Sequence, residues 1–452
     1  RMAGGLLLAL ALGAGVGAVV AEAPLVLLVV AGAAAAVAVV VAWLRWPQAL
    51  PATFWLVFSV QHTIFYGFYV QGLYYPIYLL MGVNVVLTLI YGRLRFDVRV
   101  LGPYLTFLLA VLIGIVAAPD LFDSDSLNRV FVYVFGFLVF FQFPVRTLPY
   151  LLMGVQALSA SVIAIWVVIE SVQGGFGYRA GIEVDQNYVS FLVGFGLVAV
   201  LAALMTRDLR WPVRVGLWAV LGLGIYGLLL LASRGVFVAC AVAAVGMFAR
   251  ISLDARRSVP ILAGAVLAGL LLVALPGSDA LFQRLSESNL STANDRVPLW
   301  TAAFEAYAAG GVRELLFGLG FESSKPVVRA VASSLTSTHN AYVQMLVELG
   351  LFGLVSFVGI HAVLLARFWR GRSTAAVYGV GVLVFMGVSN LSLNIPDNFV
   401  YWVAIGYLLA LGAQVEREGA RSASPGTTST TVSSDGPWNR SGSSVVPSPR
   451  ET

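Results

Sequence analysis

The chain has 452 residues, of which 59% are hydrophobic and 11% charged, and its mean hydropathy is +0.89. A soluble domain carries about 25% charged residues, so a soluble globular protein is excluded; the lone cysteine, Cys240, also excludes an intramolecular disulfide and a cysteine-built zinc cluster. The net charge of +5 comes from 27 Lys+Arg against 22 Asp+Glu, and its distribution follows membrane topology rather than a nucleic-acid surface.

Apolar runs of about twenty residues, the length that crosses a bilayer, recur along nearly the whole chain. They predict an all-α, polytopic transmembrane helical bundle of about 12–14 spans over residues 1–413. Helices are expected near 4–20, 24–44, 51–70, 73–92, 100–118, 127–142, 148–170, 187–206, 213–232, 235–251, 259–275, 341–366, 374–392 and 399–413. The first run is followed at once by another, so it reads as a span rather than a cleavable leader. With both termini in the cytoplasm, fifteen Lys/Arg fall on the inner loops, whereas Arg129, Arg179 and Arg234 are the three on short outer loops. This is the positive-inside bias of a multi-pass protein of the cytoplasmic membrane, with the lipid bilayer as its first partner.

Three segments break the run of short connections. Residues 276–338 form an external loop of about sixty residues, far beyond the usual length, and are expected to be structured and functional. Residues 171–186 make a second external loop rich in glycine and polar groups. Residues 414–452 are dominated by Ser, Thr, Gly and Pro and read as a disordered cytoplasmic tail. The halves show no internal repeat, which weighs against the common transporter folds.

In so apolar a chain, polar groups at the outer membrane face are the informative ones, because charge near hydrocarbon is costly unless used. Ser337-Thr338-His339-Asn340 runs into Gln344, Glu348-Leu349-Gly350 and Gly353. Ser337 or Thr338 is placed to cap a helix beginning at His339, whose free N–H groups favour an anion. Asn340, Gln344 and Glu348 recur every fourth residue and form one polar stripe entering the membrane; hydrogen bonds to neighbouring spans explain the stripe equally well. Ser233-Arg234-Gly235 is a tight external turn whose arginine either snorkels to headgroups or binds an anion. Tyr178-Arg179-Ala180-Gly181 precedes Asp185-Gln186-Asn187, where Asp185 or Asn187 suits a helix cap. Asn294-Asp295-Arg296-Val297-Pro298-Leu299-Trp300 opens an amphipathic interfacial helix with Asp295 as cap and Trp300, Ala303, Phe304 and Tyr307 on its apolar face.

Other candidates carry less. Asp123-Ser124-Asp125 has the form of a metal-binding Asp-x-Asp, but such carboxylates are ordinarily solvated. His62 reads as a hydrogen-bonded residue within a span, and His361 is expected near the cytoplasmic end of its helix. No Walker loop, dinucleotide turn or zinc-protease motif is present, so no cofactor and no metal is expected.

The His-Asn opening with Glu-Leu-Gly downstream (339–353) resembles the O-antigen ligase and O-antigen polymerase superfamily, membrane glycosyltransferases of GT-C-like type. The likeness extends to Ser-Arg-Gly (233–235), the Arg…Gln-Asn element (179–187), Arg-x-x-x-Trp (296–300) and Gly-Leu-Gly (318–320), in the expected order. The resemblance implies transfer of glycan from undecaprenyl diphosphate to a glycan or lipid acceptor outside the cytoplasmic membrane, inverting and metal-independent, in cell-envelope polysaccharide biosynthesis. It assigns Arg179, Arg234 and Arg296 to the pyrophosphate leaving group and His339 to catalysis, as base or phosphate ligand, with Asn340, Glu348 and Asn187 in support. Arginine suits the first role by its permanent charge and planar donor fork. The alternative is a flippase or exporter of lipid-linked glycan, which needs the arginines but not His339.

Overall fold

The computed structural model describes residues 49–63, 81–83, 85, 86, 90, 98–140, 151–174, 185–207, 209–251, 296–331, 337–371 and 373–422. The helices are α1 (Ala49–Thr63), α2 (Val98–Ala117), α3 (Ser124–Phe140), α4 (Leu151–Gln173), α5 (Gln186–Thr206), α6 (Trp211–Leu231), α7 (Arg234–Arg250), α8 (Val297–Ala308), α9 (Val312–Phe317), α10 (Ser324–Val331), α11 (Ala341–Arg370), α12 (Thr374–Ser389) and α13 (Phe399–Ser422). No strand occurs among the described residues. The protein is an all-α membrane protein: α4, α5, α6 and α11 are each long and apolar enough to cross a bilayer. The spans expected near 4–20, 24–44 and 259–275, and most of 73–92, lie outside the described residues. The last helix runs to Ser422, past the end expected at 413.

Of the four spanning-length helices α5 is the most buried, enclosed by α4, α6, α7 and α12. Its small residues let backbones approach: a Cβ on Gly196 would stand 2.2 Å from the Ala160 Cβ and 2.7 Å from the Gln156 carbonyl oxygen on α4. Such small-residue contacts drive helix association where lipid removes the hydrophobic incentive. Beside this unit, α13 packs on α3, and α2 packs on α11. Phe107, Tyr133, Phe357 and Trp402 interlock α2, α3, α11 and α13, with ring centroids 5.3–5.8 Å apart.

One departure from the expected topology positions everything that follows. Helix α11 is not a single rod, because Gly350 adopts φ 65° and ψ −166°. The Tyr342 ring lies 5.9 Å from that of Phe357, whereas a straight helix would separate them by about 22 Å. The chain therefore folds back at Gly350. Residues 341–349 form a half-helix leaning on 351–370, and the latter half, about 30 Å long, supplies the spanning length. The single span expected at 341–366 is corrected accordingly: a helix-forming apolar sequence runs through the break, and only the glycine marks it.

Candidate active site

The α2–α3 and α6–α7 connections and the start of α5 meet at one end of the bundle, and the α12–α13 segment from Asn390 to Asn398 joins them. The Asn390 carbonyl accepts from the Ala341 N–H at 2.9 Å, and the Ser392 carbonyl accepts from Arg296 Nη1 at 2.7 Å. Gly235 lies so close to Ser392 that a Cβ there would meet its Oγ at 2.3 Å. Asn394 donates to Gln344, and Asn398 accepts from the Tyr188 hydroxyl at 3.1 Å. The His-Asn, Arg-x-x-x-Trp and Ser-Arg-Gly motifs and the start of α5 thus rest on this one floor. Sequence reading passed over it as a plain connection between two spans.

His339 stands above the floor, half-buried, with φ 51°, a left-handed conformation that histidine tolerates better than most residues. Ser337 Oγ accepts from its N–H at 3.1 Å. Burial pushes the imidazole below its ordinary range, adjacent Arg296 pushes the same way, and Asp185 partly opposes them. A ring so placed is neutral at pH 7 and able to accept a proton. Arg296 opens α8, and Trp300 one turn on donates from Nε1 to the Thr338 carbonyl at 2.9 Å. That bond accounts for the Arg-x-x-x-Trp spacing, since it ties the arginine's helix to the residue before His339. Across the site, Ser233 donates to the Asn187 side chain at 3.0 Å, bringing Arg234, the first residue of α7, beside the α5 start. Asp185 caps α5 by accepting from the Asn187 N–H at 2.9 Å. Arg179 lies outside the described residues, as do Asn294 and Asp295.

The start of α11 differs from the expectation in a way that matters chemically. The cap is Asn340, whose side chain accepts from the N–H groups of Tyr342 and Val343 at 3.0 and 3.2 Å. Ala341 donates to Asn390 and Gln344 to the Asn340 carbonyl, so the whole first turn is internally satisfied. An anion held by free N–H groups at this helix start is therefore overturned; Ser337 and Thr338 instead shape the turn before it. The α8 face is likewise rotated from expectation. Leu299, Ala303 and Tyr307 are its buried stripe, and Ala303 and Tyr307 cluster with Val343 and Val347 of the half-helix. Phe304 faces outward.

Below the half-helix the polar stripe is consumed by protein. Glu348, fully buried, accepts from Ser324 and pairs with Arg129 Nη2 at 2.9 Å. Gln344 donates to Glu348 at 3.4 Å and to Asp397 at 3.2 Å. Arg129 also pairs with Glu322 at 3.2 Å and Asp397 at 2.6 Å, and Lys325 reaches Glu322 at 2.9 Å. The Gly-Leu-Gly turn sits directly against the break in α11: Leu319 donates to the Val347 carbonyl at 2.8 Å. Gly350, with its positive φ, leaves only 2.4 Å between a would-be Cβ and the Gly318 nitrogen.

No curated protein matches the sequence. Residues 218–358 match the family model of the O-antigen ligases. This stretch supports a place for the protein in the O-antigen ligase and polymerase superfamily. This O-antigen ligase-like membrane enzyme carries within the matched stretch Arg234, Arg296, Trp300, His339, Asn340 and Glu348, together with Gly318 and Gly350. Asp185, Asn187, Arg129 and the Asn390–Asn398 floor lie outside it.

Among the predicted site residues, then, the fold of this O-antigen ligase relative brings His339, Arg296, Arg234 and Asn187 to one place. Asn340 serves as the adjoining helix cap, and Glu348 is turned away into a buried ion-pair cluster. Arg129 and Asp397 were missed as site-related residues. Arg129 did carry a signal, as an arginine on a short outer loop against the topological bias, and Asp397 is an acidic residue between two apolar helices. Asp123 accepts from Ser126 N and Oγ at 2.8 and 2.9 Å, in the manner of a helix cap. His361 is nearer the site than expected, because the fold-back shifts its register. Its Nδ1–H donates to the Phe357 carbonyl, since a carbonyl only accepts, and its Nε2 accepts from the Tyr401 hydroxyl at 2.7 Å. Tyr401 in turn accepts from Asn390 at 3.2 Å. No group of three or more His, Cys, Asp or Glu is placed to hold a metal ion among the described residues.

Proposed function

We propose that the protein is a glycosyltransferase that moves glycan from undecaprenyl diphosphate to the hydroxyl of a glycan or lipid acceptor, at the external face of the cytoplasmic membrane. The observation that carries this reading is His339, half-buried beside Arg296 and held neutral, at the meeting point of Ser233-Arg234-Gly235 and the Asp185–Asn187 turn. In the transfer, the imidazole takes the proton of the acceptor hydroxyl while its oxygen attacks the anomeric carbon. The bond from that carbon to the diphosphate oxygen breaks, and undecaprenyl diphosphate leaves with the electron pair. Arg296 and Arg234, joined by Arg179, neutralise the charge that develops there. One displacement inverts the anomeric centre, and its proton and charge are handled by side chains without a metal.

The test is reconstitution of the purified protein in liposomes with lipid-diphosphate glycan and an acceptor. Wild type is expected to form new glycosidic product in the presence of EDTA. His339→Ala is expected to insert and fold yet lose at least about 10²-fold in rate, the lower bound for general-base assistance. Product at the wild-type rate from His339→Ala would remove the base role, and transbilayer movement of glycan without any product would favour the flippase instead.

A further inference from the structure

We propose that Arg129 is a positioning residue: it clamps the half-helix behind His339, the turn after Gly320 and the Asn390–Asn398 floor into one frame that sets where Arg296 and His339 stand. The proposal rests on the glycosyl-transfer reading of that site. Arg129 itself does not reach substrate. Its side chain is only 7% exposed, and a carboxylate stands within ion-pair distance of each of Nε, Nη1 and Nη2. Nε donates to Asp397 and, at 2.9 Å, to the Tyr133 hydroxyl, while Nη1 and Nη2 face Glu322 and Glu348. The guanidinium also lies 4.8 Å from the centre of the Phe321 ring.

Each of the three carboxylates belongs to a different part of the site's scaffold. Glu348 is on the half-helix that begins just after His339. Asp397 lies near the end of the floor, five residues beyond the Ser392 carbonyl that holds Arg296. Glu322 follows the Gly-Leu-Gly turn, and its backbone sits at φ 69°. A non-glycine residue persists there only when its surroundings over-determine it, and Arg129 and Lys325 both hold this carboxylate. Gln344 stitches the frame further by bonding Glu348, Asp397 and Asn394 at once. Three carboxylates in three directions need a planar fork of donors; a lysine would supply the charge at a single point. If Arg129 merely neutralised buried acid, Lys would replace it fully, whereas a clamp requires the fork.

The experiment is steady-state kinetics of the full-length protein in liposomes. Arg129→Lys is expected to lower kcat by about 10²-fold with donor KM changed less than about threefold, since misplacing catalytic groups by about an ångström has that effect on rate. Wild-type kcat in Arg129→Lys overturns the proposal. If that variant fails to insert, Glu322→Gln removes one strut and is expected to lower kcat in the same pattern to a smaller degree; unchanged kcat there overturns it equally. If wild type forms no product from any lipid-diphosphate glycan, the transfer reading fails while the clamp is still judged by distance. Spin labels at Leu127→Cys and Arg329→Cys, in a Cys240→Ala background, are expected to give a narrow separation that broadens or shifts in Arg129→Lys. An unchanged distribution overturns the clamp.

Discussion

Two groups of charged residues share one end of the bundle and are built on opposite plans. Around Arg129 the guanidinium, Glu322 and Glu348 are sunk into the protein, and only Asp397 reaches the surface. Around His339, the side chains of Arg296, Arg234 and Asn187 are only partly buried, and Asp185 is exposed. The first plan makes a fixed frame, because removing one partner of a buried ion pair is strongly penalised. The second sets cations beside a basic nitrogen at a partly exposed site. Placed near a diphosphate, such cations act on charge as it develops, where water is partly excluded and electrostatics are strong.

The contrast can be broken most sharply at Arg296. Its replacement by Ala is expected to cost about 10²–10³-fold in kcat, the usual effect of deleting a donor to developing charge, and Arg296→Lys should recover only part. Arg313, on α9 and with a side chain 67% exposed, is the control and should tolerate Ala with little change in rate. Equal losses at both positions, measured in the same liposome assay, would mean that the long connection needs its arginines for folding rather than for substrate.

A second, smaller effect is expected at the hinge between the two groups. Gly350→Ala places a side chain at positive φ and within 2.5 Å of the Leu316 carbonyl. A backbone at φ 65° and ψ −166° is essentially confined to glycine and costs on the order of 1–3 kcal/mol for a residue with a Cβ, and the close contact adds to it. A lowered unfolding midpoint and a lower yield of inserted protein are expected. An unaltered midpoint would mean that the half-helix does not need its fold-back.

The smallest effect is in the pH profile. His339 titrates below its ordinary value of about 6.5, and the base must be neutral, so the rate should rise with pH along an acid limb centred below that value. Asp185 raises the imidazole's pKa, and asparagine caps helices about as well as aspartate. Asp185→Asn should therefore preserve α5 and move the acid limb slightly lower, more so at low salt. A limb centred above the ordinary value, or one moving upward in the variant, would contradict the base assignment.

Much of this was legible in one dimension. Hydropathy is a local sum over about twenty residues, and the all-α, multi-pass character follows from it directly. The motif residues His339, Arg296 and Arg234 could likewise be singled out, since polar groups at the edge of apolar runs are conspicuous. Their spacing also carried physical content, as Trp300 shows by bonding back to Thr338 one turn after Arg296. What the sequence left open was partnership. The same stripe of Asn340, Gln344 and Glu348 was compatible with a ligand site or with neighbouring helices, and hydropathy does not distinguish them.

Tertiary structure decided those points, because they depend on groups distant along the chain. Arg129 meets Asp397 across 268 residues, and no local pattern encodes that pairing. The Ala341 N–H, open in the isolated helix, is taken by Asn390 from the end of α12. The fold-back at Gly350 follows from an apolar helix interrupted at one residue, where the Gly318 backbone presses so close that only glycine fits. The sequence determined which segments leave water and which residues stand out among them. Only the packed molecule decided which of their charges pair inside the protein and which stand at its partly exposed face.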